Sequence, residues 1–158
     1  MPIDKNELRR VMGHFATGVT IVTTRASNGK VHGLTANALT SVSLVPPLLL
    51  LCVDKKAESY PCFAESRLFT VNVLSDSQEE LSRRFAVSGG EKFERVACRL
   101  GANGVPVLDG ALAHLECRVV DAHDAGDHTI YIGEIESAET REGKPLLFYR
   151  GGYRSLGD

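Results

Sequence analysis

Near the N-terminus, apolar residues recur at helical spacing behind an Asp–x–x–Glu pattern that is typical of a capping box. The residues are Asp4 and Glu7, followed by Leu8, Val11, Met12 and Phe15. The pattern predicts one short helix. Its apolar face is expected to be buried against the body of the domain or against a partner subunit.

Beyond Gly18 the pattern becomes strand-like. β-branched or alternating apolar runs are separated by turn signals, of which Asn28-Gly29 is the strongest hairpin signal. Strands are predicted at 19–24, from Lys30 onward, and at 48–53, 68–74, 115–119, 129–135 and 146–149. The 48–53 run reads as a fully buried strand, since every residue in it is apolar. Two further short helices are predicted, one near 57–65 and one capped by Ser77 with Glu80.

Six or seven strands with few helices and no regular alternation of strand and helix argue against a doubly wound parallel sheet. A mainly β fold, an antiparallel barrel that is closed or nearly closed, fits better because closure removes exposed sheet edges. The 158 residues contain no repeats or linkers, so we expect one domain over 1–158.

Composition adds mainly exclusions. A net charge of −2 gives no reason to expect a nucleic-acid or membrane partner. The N-terminus is charged and lacks the apolar core of a secretory signal, so a cytoplasmic location is expected. Four scattered cysteines have no metal-ligand spacing and are interpreted as small, buried apolar residues: Cys52, Cys62, Cys98 and Cys117.

The common nucleotide, hydrolase and zinc-protease motifs are absent from the sequence. The most unusual segment is 33–44, where small residues and hydroxyls are dense and Val45-Pro46-Pro47 follows. Small side chains let the backbone approach a planar ring, and Thr, Asn and Ser can bind the ring edge or a phosphate. The polar outer face of an edge strand would have the same composition.

Several segments, in this order and spacing, resemble the short-chain flavin reductases with the FMN-binding split-barrel fold. These are reductase components of two-component flavin-dependent monooxygenases. The segments are 15–24, 33–47, Glu91-Lys92-Phe93, 104–108, Gly126-Asp127-His128-Thr129 with the strand after it, and 145–153. The resemblance covers nearly the whole chain and implies an antiparallel split β-barrel with a few short peripheral helices.

The resemblance also implies an NAD(P)H:flavin oxidoreductase that passes hydride to FAD or FMN and supplies reduced flavin to a separate oxygenase. A homodimer is expected, with each flavin in a groove near the subunit interface. Thr35, Ala36, Asn37 and Ala38 would border the isoalloxazine ring, and Ser41 and Cys52 match positions close to the flavin.

The phosphate end of the flavin is expected near 54–59, where Lys55 and Ser59 suit an anion. Arg84 and Phe85 match the family's Arg-Phe pair at the phosphate or adenylate end. A solvated loop for Lys55 and a core position for Phe85 are the alternatives.

His128 matches a family histidine beside the nicotinamide, where it would orient the dinucleotide or the reduced flavin. Proton transfer need not be its role, because hydride passes directly between the two cofactors. A structural histidine is the alternative. Tyr149 would cover the flavin or nicotinamide, or else close the barrel.

Two other functions stay open from the residues. One is a protein that holds flavin tightly for electron transfer without using NAD(P)H, and the other is a β-barrel interaction domain without flavin. The choices between FAD and FMN and between NADH and NADPH are also open, since no Rossmann acidic residue is present to distinguish them.

Overall fold

The computed structural model describes residues 2–157 and is mainly β, as predicted. The helices are α1 (Lys5–Met12), α2 (Tyr60–Ser66) and α3 (Glu79–Phe85). The strands are β1 (Thr17–Gly18), β2 (Thr20–Arg25), β3 (Val31–Ala36), β4 (Leu39–Leu44), β5 (Pro47–Asp54), β6 (Leu68–Val73), β7 (Cys98–Leu100), β8 (Pro106–Leu108), β9 (Ala113–Ala125), β10 (His128–Thr140), β11 (Leu146–Tyr149) and β12 (Gly152–Ser155).

The central sheet is antiparallel, with the order β3-β2-β6-β9-β10-β5-β4. Its two edge strands, β3 and β4, are consecutive in the chain and are joined by Asn37 and Ala38. Residues of β5 and β6 share one core although these strands are not neighbours in the sheet. The sheet therefore curls into a barrel that stays open between β3 and β4.

Two hydrophobic cores lie on opposite faces of β2. Val22 packs inside the barrel with Phe63 and Phe69, whereas Ile21 packs outside it with Leu74 and Phe85. Burial on both faces explains why the 19–24 run is β-branched throughout and does not alternate with polar residues. The outer core also receives β8 and β11, so it joins the smaller sheets β7-β8 and β1-β11-β12 to the barrel.

Several element predictions are confirmed with shifted bounds, and others are corrected. β5 is buried on one face only, through Leu49, Leu51 and Val53, because its other face borders the open side of the barrel. The capping box precedes α3 at Ser75 and Gln78, not at Ser77 and Glu80. It closes a 3-10 turn that leads into the helix.

Helix α1 begins as predicted, with Asp4 accepting hydrogen bonds from the backbone N–H of Asn6 and Glu7. The Glu7 side chain binds Arg10 and does not complete a capping box. No residue of α1 is buried, and the apolar side chains of its face are 47–72% exposed: Leu8, Val11, Met12 and the following Phe15. Burial of this face against the body of the domain is therefore not observed.

Cys62 and Cys117 are buried as expected, whereas Cys98 is exposed and Cys52 is partly exposed. Burial raises the pKa of the Cys117 thiol to about 12. Among residues 2–157, no helix has both the length and the apolar character needed to cross a membrane.

Candidate functional site

A groove of about 640 Å³ lies where the barrel is open. Its walls come from the end of α1, from β1, from the β3–β4 connection and from the open face of β5. Asn37, Ala38 and Cys52 are the predicted flavin-contacting residues that line it. Much of the wall is apolar, with the hydroxyl groups of Thr17, Thr20 and Thr40 among it, as a planar heteroaromatic ring requires.

Hydrogen bonds fix the β3–β4 connection at the floor of this groove. Thr20 Oγ1 donates to the Ala36 carbonyl at 2.6 Å, and the backbone N–H of Cys52 donates to the Ala38 carbonyl at 3.0 Å. Asn37 Nδ2 donates to Thr17 Oγ1 at 3.1 Å. The connection therefore presents a rigid backbone to any molecule in the groove.

Thr35, Ala36 and Ser41 do not line the groove. The Thr35 hydroxyl donates to the Ser82 carbonyl at 2.6 Å, so it ties β3 to α3. Ala36 is 9% exposed and packs in the barrel core. Ser41 is exposed on β4, opposite Leu49 of β5.

A second, smaller cleft lies at the other end of β3, with a volume of about 120 Å³. Three basic side chains line it, those of Lys30, His32 and Lys92, together with Glu58 and Ser59. Ser59 is 3% exposed, and its Oγ is buried without a hydrogen-bond partner in the described residues. A buried hydroxyl normally has a partner, so the Ser59 Oγ is free to bind a polar group of a ligand in the cleft. A phosphate provides such a group.

The charges of the cleft influence one another. Burial lowers the pKa of Lys92, and the Glu58 carboxylate opposes that shift. The pKa of His32 is lowered by burial and by Lys30, against Glu58. Lys92 Nζ donates only to the carbonyls of Gly33 and Phe85, both at 3.4 Å, so a closer acceptor could draw it away.

Lys55, predicted at the phosphate, is engaged elsewhere. Its ammonium binds the Asp124 carboxylate and donates to the Gly126 carbonyl at 2.8 Å. These contacts, led by the hydrogen bond to Asp124, raise the pKa of Lys55. Lys55 thus ties the end of β5 to the β9–β10 turn, and the cations at the cleft are Lys30 and Lys92.

Arg84 and Phe85 shape the cleft without lining it. Phe85 is 1% exposed; its ring meets Phe93 edge-on at 5.1 Å and lies so close to Gly33 that a Cβ there would be 2.8 Å from the ring. Arg84 donates to the Glu94 carbonyl at 2.8 Å and so holds the loop that carries Lys92. The Phe85 ring therefore packs as core and leaves no face for an adenine.

His128 is the first residue of β10, opposite Asp54 of β5. Its Nδ1 lies 2.7 Å from Asp127 Oδ1, and its side chain is 40% exposed. In an antiparallel pair, directly opposed residues share a face, so His128 continues the row that Cys52 and Leu50 begin in the groove. The hydrogen bond from His128 lowers the pKa of Asp127.

Tyr149 lies on β11 and packs edge-on against His14, with ring centroids 6.3 Å apart. The neighbouring Phe148 pairs with Thr17 of β1, which lines the groove, but Tyr149 itself is not among the lining residues.

Sequence reasoning missed Lys30, His32 and Lys92 as a group. Lys92 lies in the Glu91-Lys92-Phe93 segment that carried part of the resemblance, but it was given no role there. Lys30 and His32 follow the Asn28-Gly29 turn and looked like ordinary hairpin residues. Only the fold brings them to Ser59.

The chain matches the model of the "Flavin reductase like domain" family over residues 12–157. It is 45% identical over 151 residues to the NADH-dependent flavin reductase of a Rhodococcus species, covering 94% of this chain and 85% of that protein. It is 43% identical over 150 residues to the reductase component of the 4-nitrophenol 4-monooxygenase/4-nitrocatechol 2-monooxygenase of Rhodococcus opacus, covering 95% and 80%.

A solved structure extends this likeness to the fold. The Streptomyces globisporus NADH:FAD oxidoreductase, in complex with NAD and FAD fragments, superimposes with a TM-score of 0.92 at 42% identity, covering 98% of this chain and 93% of that one. The split-barrel expectation is confirmed by this likeness. With the family model matching nearly the whole chain, this protein belongs to the flavin reductase-like domain family.

Proposed function

We propose that this protein is an NADH-dependent flavin reductase that supplies reduced flavin to a separate oxygenase. Its family membership supports this function, as do relatives named as an NADH-dependent flavin reductase and as a monooxygenase reductase component. An oxygenase or other flavin-using enzyme is the partner that this activity requires.

The observation that carries the proposal is the pairing of the groove with the cleft. β3 runs from His32 and Gly33 at the cleft to Ala36, and Asn37 and Ala38 follow it at the groove; the four steps from Gly33 to Asn37 span about 13 Å. A ring in the groove with a chain along this open edge would bring a terminal phosphate to Ser59 and Lys92. FMN has that shape, and FAD contains it.

When bound, the nicotinamide and the flavin supply the hydride chemistry. The protein's contribution is position. The Asn37–Ala38 backbone holds the ring edge, Ser59 and Lys92 hold the phosphate, and His128 orients the dinucleotide from the end of the row that Cys52 belongs to. Holding two reactants in place converts a slow bimolecular encounter into a fast unimolecular step.

We also infer a homodimer. Two apolar surfaces are open to solvent: the α1 face, whose Met12 and following Phe15 line the groove, and the β4–β5 turn, where Leu44 and Val45 are 90% and 92% exposed. Apolar side chains this exposed typically mark an interface. A second copy of the chain would cover them and complete the groove.

Fluorescence titration with FMN and FAD, followed by an NADH oxidation assay with each flavin, tests the function. Saturable binding of at least one flavin and flavin-dependent NADH oxidation are expected. Flavin binding without NADH oxidation would favour the electron-transfer alternative. Absence of binding to either flavin at micromolar concentrations contradicts the proposal.

A further inference from the structure

Glu58 lines the cleft with an exposed carboxylate, among side chains that otherwise suit an anion. Its Oε2 accepts a hydrogen bond from the backbone N–H of Gly89 at 2.8 Å. The pKa of Glu58 is lowered mainly by this hydrogen bond; desolvation opposes the shift, and the nearby Lys92, His32 and Lys30 add smaller lowering contributions. The Glu58 carboxylate is thus stabilised by the same basic side chains that would attract a phosphate.

The group that binds Glu58 and the polar groups that line the cleft with it are those that a phosphate would use. Gly89 offers a backbone N–H next to Gly90, which lines the cleft. Both glycines are exposed, and a Cβ built on either would meet no atom within 4 Å, so the loop backbone is open there. Lys92 is loosely held by two carbonyls, and the Ser59 hydroxyl has no hydrogen-bond partner among residues 2–157. A phosphate entering the cleft would have to share or displace the Glu58 carboxylate.

We propose that Glu58 is an internal competitor for the cofactor phosphate, which weakens phosphate binding and keeps the phosphorylated cofactor exchangeable. This inference rests on the proposed flavin site and deepens it. A reductase that delivers reduced flavin to another enzyme must release it, and a like charge beside the phosphate is a direct means of doing so. Glu58 is accordingly a determinant of specificity between phosphorylated and unphosphorylated flavin.

A purely structural role for Glu58 makes the opposite prediction. If the Glu58–Gly89 hydrogen bond served only to hold the 86–93 loop in place, its weakening would loosen Lys92 and reduce affinity for the phosphate. The direction of the affinity change therefore separates the two roles.

The experiment compares Glu58→Gln with the wild-type protein by titration with FMN and with riboflavin, which lacks the phosphate. The amide keeps the size of the side chain and can still accept from Gly89, but it carries no charge. We expect FMN to bind about 3- to 10-fold more tightly and to dissociate correspondingly more slowly, with riboflavin affinity unchanged. The FMN dissociation rate is measured by stopped-flow displacement.

Glu65→Gln is the matched control. Glu65 also accepts a backbone N–H, from Ser27 at 3.1 Å, and acts on the pKa of His32, but it lies outside the cleft. Its substitution removes the same charge and should leave the FMN-to-riboflavin affinity ratio unchanged. An equal gain in Glu65→Gln would show a general charge effect and overturn the proposal.

The cleft could instead receive a phosphate of the nicotinamide dinucleotide. With riboflavin as the electron acceptor, Glu58→Gln would then lower the KM for NADH and leave FMN affinity unchanged, which still supports competition with a cofactor phosphate. Unchanged or weaker affinity for both FMN and NADH overturns the inference. Failure of the wild-type protein to bind either flavin would instead refute the proposed function itself.

Discussion

At the scale of single residues, substitution of Ser59 tests whether the cleft binds phosphate. A buried hydroxyl without a partner costs about 1–3 kcal/mol, so Ser59→Ala should leave the melting temperature unchanged or raise it. The same variant should weaken FMN binding several-fold and leave riboflavin binding unchanged. Thermal unfolding and flavin titration give the two readouts.

Ser82→Ala provides the contrast. Ser82 is also buried, but its Oγ lies 2.6 Å from the Tyr153 hydroxyl, so its removal should cost about 1 kcal/mol of unfolding free energy. A loss of stability in Ser59→Ala equal to that in Ser82→Ala would show that the Ser59 hydroxyl stabilises the fold. It would contradict the assignment of this hydroxyl to phosphate binding.

His128 gives a second prediction at this scale. His128→Ala should fold and bind flavin normally, while hydride transfer slows or the KM for NADH rises by about 5- to 150-fold, as the loss of a positioning hydrogen bond worth about 1–3 kcal/mol requires. Stopped-flow reduction of the flavin-loaded variant over a range of NADH concentrations separates the two effects.

His123→Ala is the matched control, since His123 lies on the same hairpin and pairs with Asp121 at 3.2 Å. An NMR titration adds a readout without activity: the depressed pKa of Asp127 should return toward its ordinary value in His128→Ala. The acid form of Asp127 would then appear at higher pH. Wild-type kinetics in His128→Ala would exclude the residue from the site.

At the scale of elements, the sequence predicted most strands and the region of the groove, but not the way in which the segments meet. The bounds predicted for the 19–24, 68–74 and 146–149 strands lie within a residue or two of the observed ones. These strands could be predicted because strand preference is set by the β-branched and alternating apolar residues within each run. The prediction that 48–53 is fully buried is wrong, since the face of β5 that carries Leu50 and Cys52 borders the groove. The cleft brings together Lys30, Ser59 and Lys92 from three segments that are far apart in the sequence. Their proximity depends on the tertiary fold, so it could not be predicted from the residues around each of them.

The β7–β8 hairpin also depends on distant side chains, and Asn72 is one of them. Its Oδ1 accepts from the Leu108 N–H and its Nδ2 donates to the Ile21 carbonyl, both at 2.9 Å and fully buried. Asn72→Ala would leave both groups unpaired, so we expect a loss of about 1–3 kcal/mol in unfolding free energy. Urea unfolding measures it.

The control is Asn28→Ala, which removes an exposed turn bond to the Lys30 N–H and should cost at most about 0.5 kcal/mol. Since the 86–97 segment between α3 and the β7–β8 hairpin carries Lys92, Asn72→Ala should weaken FMN binding as well. Stability equal to that of Asn28→Ala would show that the hairpin is held by other contacts.

At the scale of the whole molecule, the exposed α1 face and the β4–β5 turn predict a homodimer, because both are too apolar to remain open to water. Light scattering should give twice the 17.1 kDa chain mass. The double substitution Leu44→Asp with Val45→Asp should shift the protein toward monomer. Flavin affinity should fall as well, since the second copy of the chain would no longer complete the groove. Leu100→Asp, at an apolar residue 63% exposed on β7, introduces a charge away from these surfaces and should leave both properties unchanged. A wild-type monomer with full flavin reductase activity would show that one chain completes the groove alone.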